Sequence, residues 1–179
     1  MAESATKQVF LIDSNSFIAP FRSYYPMAHF PGYWDWLQKI IARSTARVII
    51  SKSVYDELTS GDDELAVWVK DNLELFVYDE SEDVEVWKKY REVINYVHAS
   101  GCYRGAGMTN WDKLGKADPL LIAVAAVKGW KIVTFERSAG HVSPQNPMTK
   151  EPKIPDVAKV FGVVCVTLYS LEDEFSLKL

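Results

Sequence analysis

Four acidic residues stand at the edges of apolar segments: Asp13 after QVFLI, Glu57 within SVYDEL, Asp118 before PLLIAVA, and Glu136 after KIVTF. Acids make up 24 of 179 residues, so any single match to an acidic pattern is cheap and only position makes the set informative. Taken alone, Asp13 reads as a turn residue, Glu57 as a solvated helical side chain, and Glu136 as a loop carboxylate beside Arg137. Asp118, followed by Pro119 and an apolar run, has the form of a helix N-cap. Taken together they offer hard oxygen ligands of the kind that magnesium and manganese prefer. Ions held this way activate water and neutralise charge on a phosphodiester.

The elements that must bring these acids together alternate in type. QVFLI, residues 8–12, reads as a buried strand that stops at DSNS. An aromatic loop follows, then a helix from Trp34 to Ser44, with Trp34, Leu37, Ile40 and Ile41 at helical spacing. RVIIS, residues 47–51, is a second strand. Ser53 with Asp56 three residues on suggests a capping box for the helix SVYDELTS, and Gly61 is a natural stop. Asp62 opens another helix. LFVY, residues 75–78, is a third strand, followed by an amphipathic helix from Glu82 to His98. The segment GCYRGAGMTNWDKLGK reads as a loop; it follows a helix and lacks the dinucleotide fingerprint, so its glycines carry little weight as a phosphate cradle. From Asp118 a very apolar helix runs to Lys128, Gly129 breaks it, and KIVTF leads to Glu136. After a polar stretch, residues 137–153, come IPDVAKVFG and a last strand, VVCVTL. Strands that are continuous apolar runs, separated by helices, imply a three-layer α/β/α fold with a central, mostly parallel sheet. In such sheets sites form beyond the carboxyl ends of the strands, where Asp13 and Glu136 fall.

Composition bounds the rest. A chain of 179 residues that is 48% hydrophobic fits one domain, residues 1–179, with a core that needs no disulfide or structural metal. Cys102 and Cys165 match no ligand or redox spacing, which suits a reducing compartment. The polar start MAESATKQ, and the lack of any apolar run of the roughly 18 residues a spanning helix needs, point to the cytoplasm and away from membranes. A net charge of −4 argues against a passive nucleic-acid binder, though not against a nuclease that concentrates acids at a metal site. Trp34, Trp36, Trp68, Trp87 and Trp130 sit in apolar or amphipathic segments and read as packing residues, whereas Trp111 sits in a polar loop.

Four segments together, FLIDSNSFI, SVYDEL, KADPLLIAVA and IVTFE, resemble the PIN domain, the PilT N-terminus nuclease fold that includes VapC-type toxins, and more closely a PIN-like family of unknown function. FPGYWDWL and KIPDVAKVFGV extend the resemblance over nearly the whole chain. Most PIN nucleases carry Asp where this chain has Glu136. The resemblance implies a metal-dependent endoribonuclease that leaves a 5′-phosphate and a 3′-hydroxyl, with Mg2+ or Mn2+ as cofactor. Asp13, Asp118 and Glu136 would contact metal, and Glu57 would ligate it or orient a bound water. Ser14 and Asn15 would hold Asp13. Asp156 is a fifth candidate, balanced against a role as the cap of DVAKVFG.

For RNA contact, Arg22, Tyr24 and Tyr25 follow the first strand, and Tyr103, Arg104, Trp111, Lys113 and Lys116 precede Asp118. These are rings for bases to stack on and cations for phosphates to meet, balanced against ordinary loop chemistry. His141, Lys150 and Lys153 are weaker candidates, and His29 and His98 show no ligand spacing. The resemblance also implies an antitoxin partner and a homodimer. Two other readings compete: a PIN-like module that binds RNA or protein without cleavage, and a phosphatase of the haloacid dehalogenase type. The latter expects a second acid two residues after the first, where this chain has Asn15.

Overall fold

In the computed structural model, which describes residues 7–43, 47–113 and 115–179, five short parallel strands form one sheet flanked by helices. The strands are β1 (Phe10–Ile12), β2 (Val48–Ser51), β3 (Val77–Tyr78), β4 (Lys131–Val133) and β5 (Cys165–Val166), in the order β3-β2-β1-β4-β5. The chain therefore winds outward from β1 in one direction, then crosses over and continues in the other. β1 lies at the switch, with Leu11 opposite Ile49 of β2 and Ile132 of β4. The α/β class expected from the alternating pattern is the one observed.

The helices are α1 (Asn15–Ala19), α2 (Pro31–Ile41), α3 (Lys52–Leu58), α4 (Glu64–Leu73), α5 (Val84–Ala99), α6 (Ala106–Trp111), α7 (Ala117–Lys128), α8 (Ile154–Val160) and α9 (Leu168–Glu174). Residues Ala117 to Ala125 of α7 are all buried. A helix apolar on every side must be enclosed, and α7 is packed by α3, α5, α8 and β4. Gly129 ends it at φ +69°, as the sequence suggested. α2 begins three residues before its expected start, and its expected end at Ser44 lies outside the described residues.

Three elements were not foreseen. Asn15 to Tyr24 is α1 running into a π-helical turn, Pro20–Tyr24. TLYSLEDE forms α9, capped by Thr167, which accepts a hydrogen bond from the Ser170 amide. The supposed loop before α7 contains α6, clamped to the polar segment by Met148 N–H to Cys102 C=O (2.8 Å) and Arg104 N–H to Met148 C=O (2.9 Å). Gly107 is required there: a Cβ would stand 2.1 Å from the Lys150 carbonyl oxygen.

The capping box expected at Ser53 is replaced by another device. Ser51 precedes α3 without a side-chain cap. Glu80, only 3% exposed, supplies it from beyond β3, its two carboxylate oxygens accepting the Lys52 and Ser53 amides at 2.8 Å each. Asp56 instead pairs with Lys52. A carboxylate on two free helix amides satisfies both the donors and the dipole. Glu80→Ala is therefore expected to lower the unfolding free energy by about 2–3 kcal/mol, with Glu80→Gln losing less. Urea denaturation followed by circular dichroism checks this; an unchanged midpoint for Glu80→Ala would contradict it.

Candidate active site

The strand order reverses at β1, and open α/β sheets put their sites in the crevice at such a switch point, here the carboxyl ends of β1 and β4. Asp13 is the first residue after β1, and its amide bonds the Val133 carbonyl at 3.0 Å, so it continues the ladder to the edge of the crevice. It is completely buried. Its Oδ2 accepts the Thr134 hydroxyl at 2.8 Å and its Oδ1 faces the Ser14 hydroxyl at 3.4 Å. Thr134, the residue after β4, also accepts the Glu136 amide at 3.0 Å. The Ser16 hydroxyl bonds the Val133 carbonyl and ties α1 to β4.

Burial pushes the Asp13 carboxyl up to about 7; the Thr134 hydrogen bond opposes this, while the charges of Asp118, Glu136 and Glu57 add to it. The charges of the other three expected acids thus reach Asp13. Asp118 is pushed up to about 6, chiefly by burial, with Lys116 opposing. Burial, followed by the charges of Asp13 and Glu136, takes the Cys165 thiol to about 12.

Asp118 does not cap α7. The helix begins one residue earlier, Lys116 holds the cap position without a side-chain bond, and the Asp118 carboxylate instead faces the Lys116 ammonium at 3.3 Å. Glu136 is more committed: Oε1 takes the Lys153 ammonium and Oε2 takes the Ile154 amide, both at 2.8 Å, so it caps α8. Glu57 is exposed on α3 and lines a cleft of about 180 Å3 with Ile18, Phe21, Arg22 and Leu58.

Among the described residues, no three acids, histidines or cysteines stand close enough to hold one ion together. The donor chemistry nevertheless suits magnesium, which keeps several waters and needs only one or two carboxylates besides substrate phosphate. Asp13 and Asp118 would be those two.

Other candidates divide. Ser14 is buried against Asp13, whereas Asn15 is exposed at the start of α1. Asp156 neither touches Asp13 nor caps its own helix; it accepts the Ser138 hydroxyl and, at 2.9 Å, the Ala139 amide, fixing the loop after Glu136. Trp111, expected in a polar loop, is fully buried at the end of α6, and Tyr103 is 3% exposed and bridged to Met148. Neither can stack on a base. Tyr25 stacks on Tyr33 with centroids 4.1 Å apart, which covers one of its faces. Tyr24 is half-exposed and stacked on Phe135, just past β4. Arg22, Arg104 and Lys113 are exposed, and Lys116 pairs with Asp118 and Glu151. His98 pairs with Asp112 at 2.6 Å, away from the acids. Thr134, Lys153 as the partner of Glu136, and Glu151 were not legible as site residues. The one signal was the threonine within IVTFE, at the residue after the strand.

The raised carboxyls set a pH dependence. A group at about 7 when folded and 3.8 when unfolded binds its proton more tightly in the folded state, so its contribution to stability is present at low pH and lost as pH rises through the folded value. In EDTA, Asp13→Asn is expected to gain melting temperature relative to wild type as pH rises from about 5 to 8. Thermal denaturation at intervals across that range checks this, and a constant difference would contradict it.

Set against known proteins, the chain shares its fold with VapBC2 from Rickettsia felis, whose structure was solved bound to a DNA fragment from its promoter. The match has a TM-score of 0.52 at 15% identity and covers 89% of this chain and 98% of that one. This likeness supports a PIN-like fold. No curated protein matches significantly. No helix among the described residues is long and apolar enough to cross a membrane. A family model described as a domain of unknown function, DUF4411, matches residues 10–178, and the chain belongs to that family.

Proposed function

We propose that the protein is a metal-dependent endoribonuclease. The observation that carries this reading is Asp118: a buried carboxylate that caps nothing and lies within reach of the charge of a second buried carboxylate, Asp13, at the switch point of a parallel sheet. Placing two such groups together costs stability, and a site for a divalent cation gives that cost a use.

Asp13 and Asp118 would hold Mg2+ or Mn2+, which when bound supplies Lewis acidity toward a phosphodiester and a more acidic water. Thr134 and Ser14 fix the Asp13 carboxylate by donating to its two oxygens. Glu57, exposed at the cleft, would accept a proton from an incoming water. Glu136 orders Lys153 and the start of α8 at the rim, and would share its oxygens between those partners and an ion. Arg22, Arg104 and Lys113 are the exposed cations available to the RNA backbone, and Tyr24 offers a ring.

The likeness to VapBC2 extends the proposal to a toxin restrained by an antitoxin, with a homodimer as its working form. That arm is tested by expressing the chain with and without the product of its neighbouring gene and following growth. The commitment of Glu136 to α8 favours a second reading, a PIN-like module that binds RNA without cutting it.

The deciding assay incubates the purified chain with mixed RNAs, with and without manganese. Cleavage is expected only with the ion, and Asp13→Asn and Asp118→Asn are each expected to lose at least about 100-fold in rate while keeping their circular dichroism. RNA that stays intact but is retained on a filter would favour the binding module. Cleavage by Asp118→Asn at the wild-type rate would contradict the assignment.

A further inference from the structure

Lys116 has two carboxylate partners. Its ammonium stands 2.8 Å from Glu151 Oε1 and 3.3 Å from Asp118 Oδ2, on a side chain 26% exposed. The nearer partner, Glu151, lies on the segment whose Lys150 backbone packs against Gly107 and whose Met148 backbone pairs with Cys102 and Arg104. Glu151 is therefore anchored to the same stretch of chain that delivers Lys116 to α7. Burial works against the charged Lys116, but the Glu151 hydrogen bond and the Asp118 charge outweigh it and hold the ammonium protonated. Lys153 does for Glu136 what Lys116 does for Asp118.

A lysine that only needed a partner for its charge would be served by Glu151 alone. Its second contact puts positive charge on the carboxylate that a divalent ion would need, and two cations on one carboxylate repel. The ammonium is a compact charge on a flexible stem with three donors, so it can leave Asp118 without leaving Glu151. Once displaced, it keeps two donors free at the place where a phosphodiester would meet the ion.

Resting on the nuclease reading, we propose that Lys116, tethered by Glu151, is the resident counter-ion of Asp118 in the metal-free protein and turns to the RNA phosphate when a divalent cation takes that carboxylate. Glu151 is then a positioning residue that acts through Lys116.

The test measures manganese binding by electron paramagnetic resonance on the purified full chain at fixed pH, together with KM for RNA. Lys116→Met is expected to bind manganese about threefold tighter and to raise KM for RNA about fivefold, with Lys116→Arg restoring KM. Glu151→Gln is expected to weaken manganese binding, because the ammonium settles wholly on Asp118. The decisive comparison is the double variant. If Glu151 acts through Lys116, Lys116→Met/Glu151→Gln binds manganese as Lys116→Met does; if both act only as distant charges, their effects add. Additive effects, or manganese affinity in Lys116→Met equal to or weaker than wild type, overturn the proposal. Lys116→Gln replaces the methionine variant if that one does not fold. A wild type that cuts RNA with manganese while the variants behave alike sinks this inference alone, whereas a wild type that binds no manganese sinks the nuclease reading with it.

Discussion

The structure is organised around the burial of one carboxylate. Asp13 ends β1, the strand at which the winding of the sheet reverses, and it has no exposed surface. An isolated carboxylate in such a place is costly unless its oxygens are hydrogen-bonded, its charge is neutralised, or it holds a proton. Thr134 and Ser14 address the first need. The second is not met among the described residues, where the charges that act on Asp13 are those of other acids. The fold thus raises the proton affinity of Asp13 to about neutral pH, a cost that a bound cation would relieve.

The remaining acids around the crevice have been dealt with differently. Asp118 and Glu136 each face a lysine, and both lysines arrive on irregular chain beside a helix start: Lys116 before α7, Lys153 before α8. Glu80 plays a comparable part for α3, the helix that carries Glu57. The starts of α3 and α8 are therefore each held by a carboxylate distant in sequence, Glu80 and Glu136. In Glu136 this has gone furthest, with both oxygens engaged and a structural role taken on.

Much of this was legible in the residues. Apolar runs of three to five residues identify β1, β2 and β4, and the unbroken hydrophobicity of Leu120 to Val124 identifies α7 as an enclosed helix. Asp13, Asp118 and Glu136 could be chosen because each abuts one of these segments, whereas Glu57 was singled out within SVYDEL. What could not be read depends on contacts between distant residues. Glu80 gives no sign in ESED that it will cap α3, since a glutamate in a polar stretch looks solvated. Asp118 before Pro119 imitates a cap, but α7 starts two residues too early for that role. Trp111 is surrounded by polar residues in sequence yet buried in space, at the end of a helix whose approach is hydrogen-bonded to Met148. Glu151 and Lys116 are thirty-five positions apart and meet only through that same clamp.

The central claim is that Asp13 and Asp118 jointly hold a divalent cation. It is tested most directly by crystals soaked in manganese and measured at the manganese absorption edge. The account predicts an anomalous peak within coordination distance of one oxygen from each of these two carboxylates. A well-ordered crevice with no peak, or a peak bound by other residues with Asp13 still bonded only to Thr134 and Ser14, would contradict it.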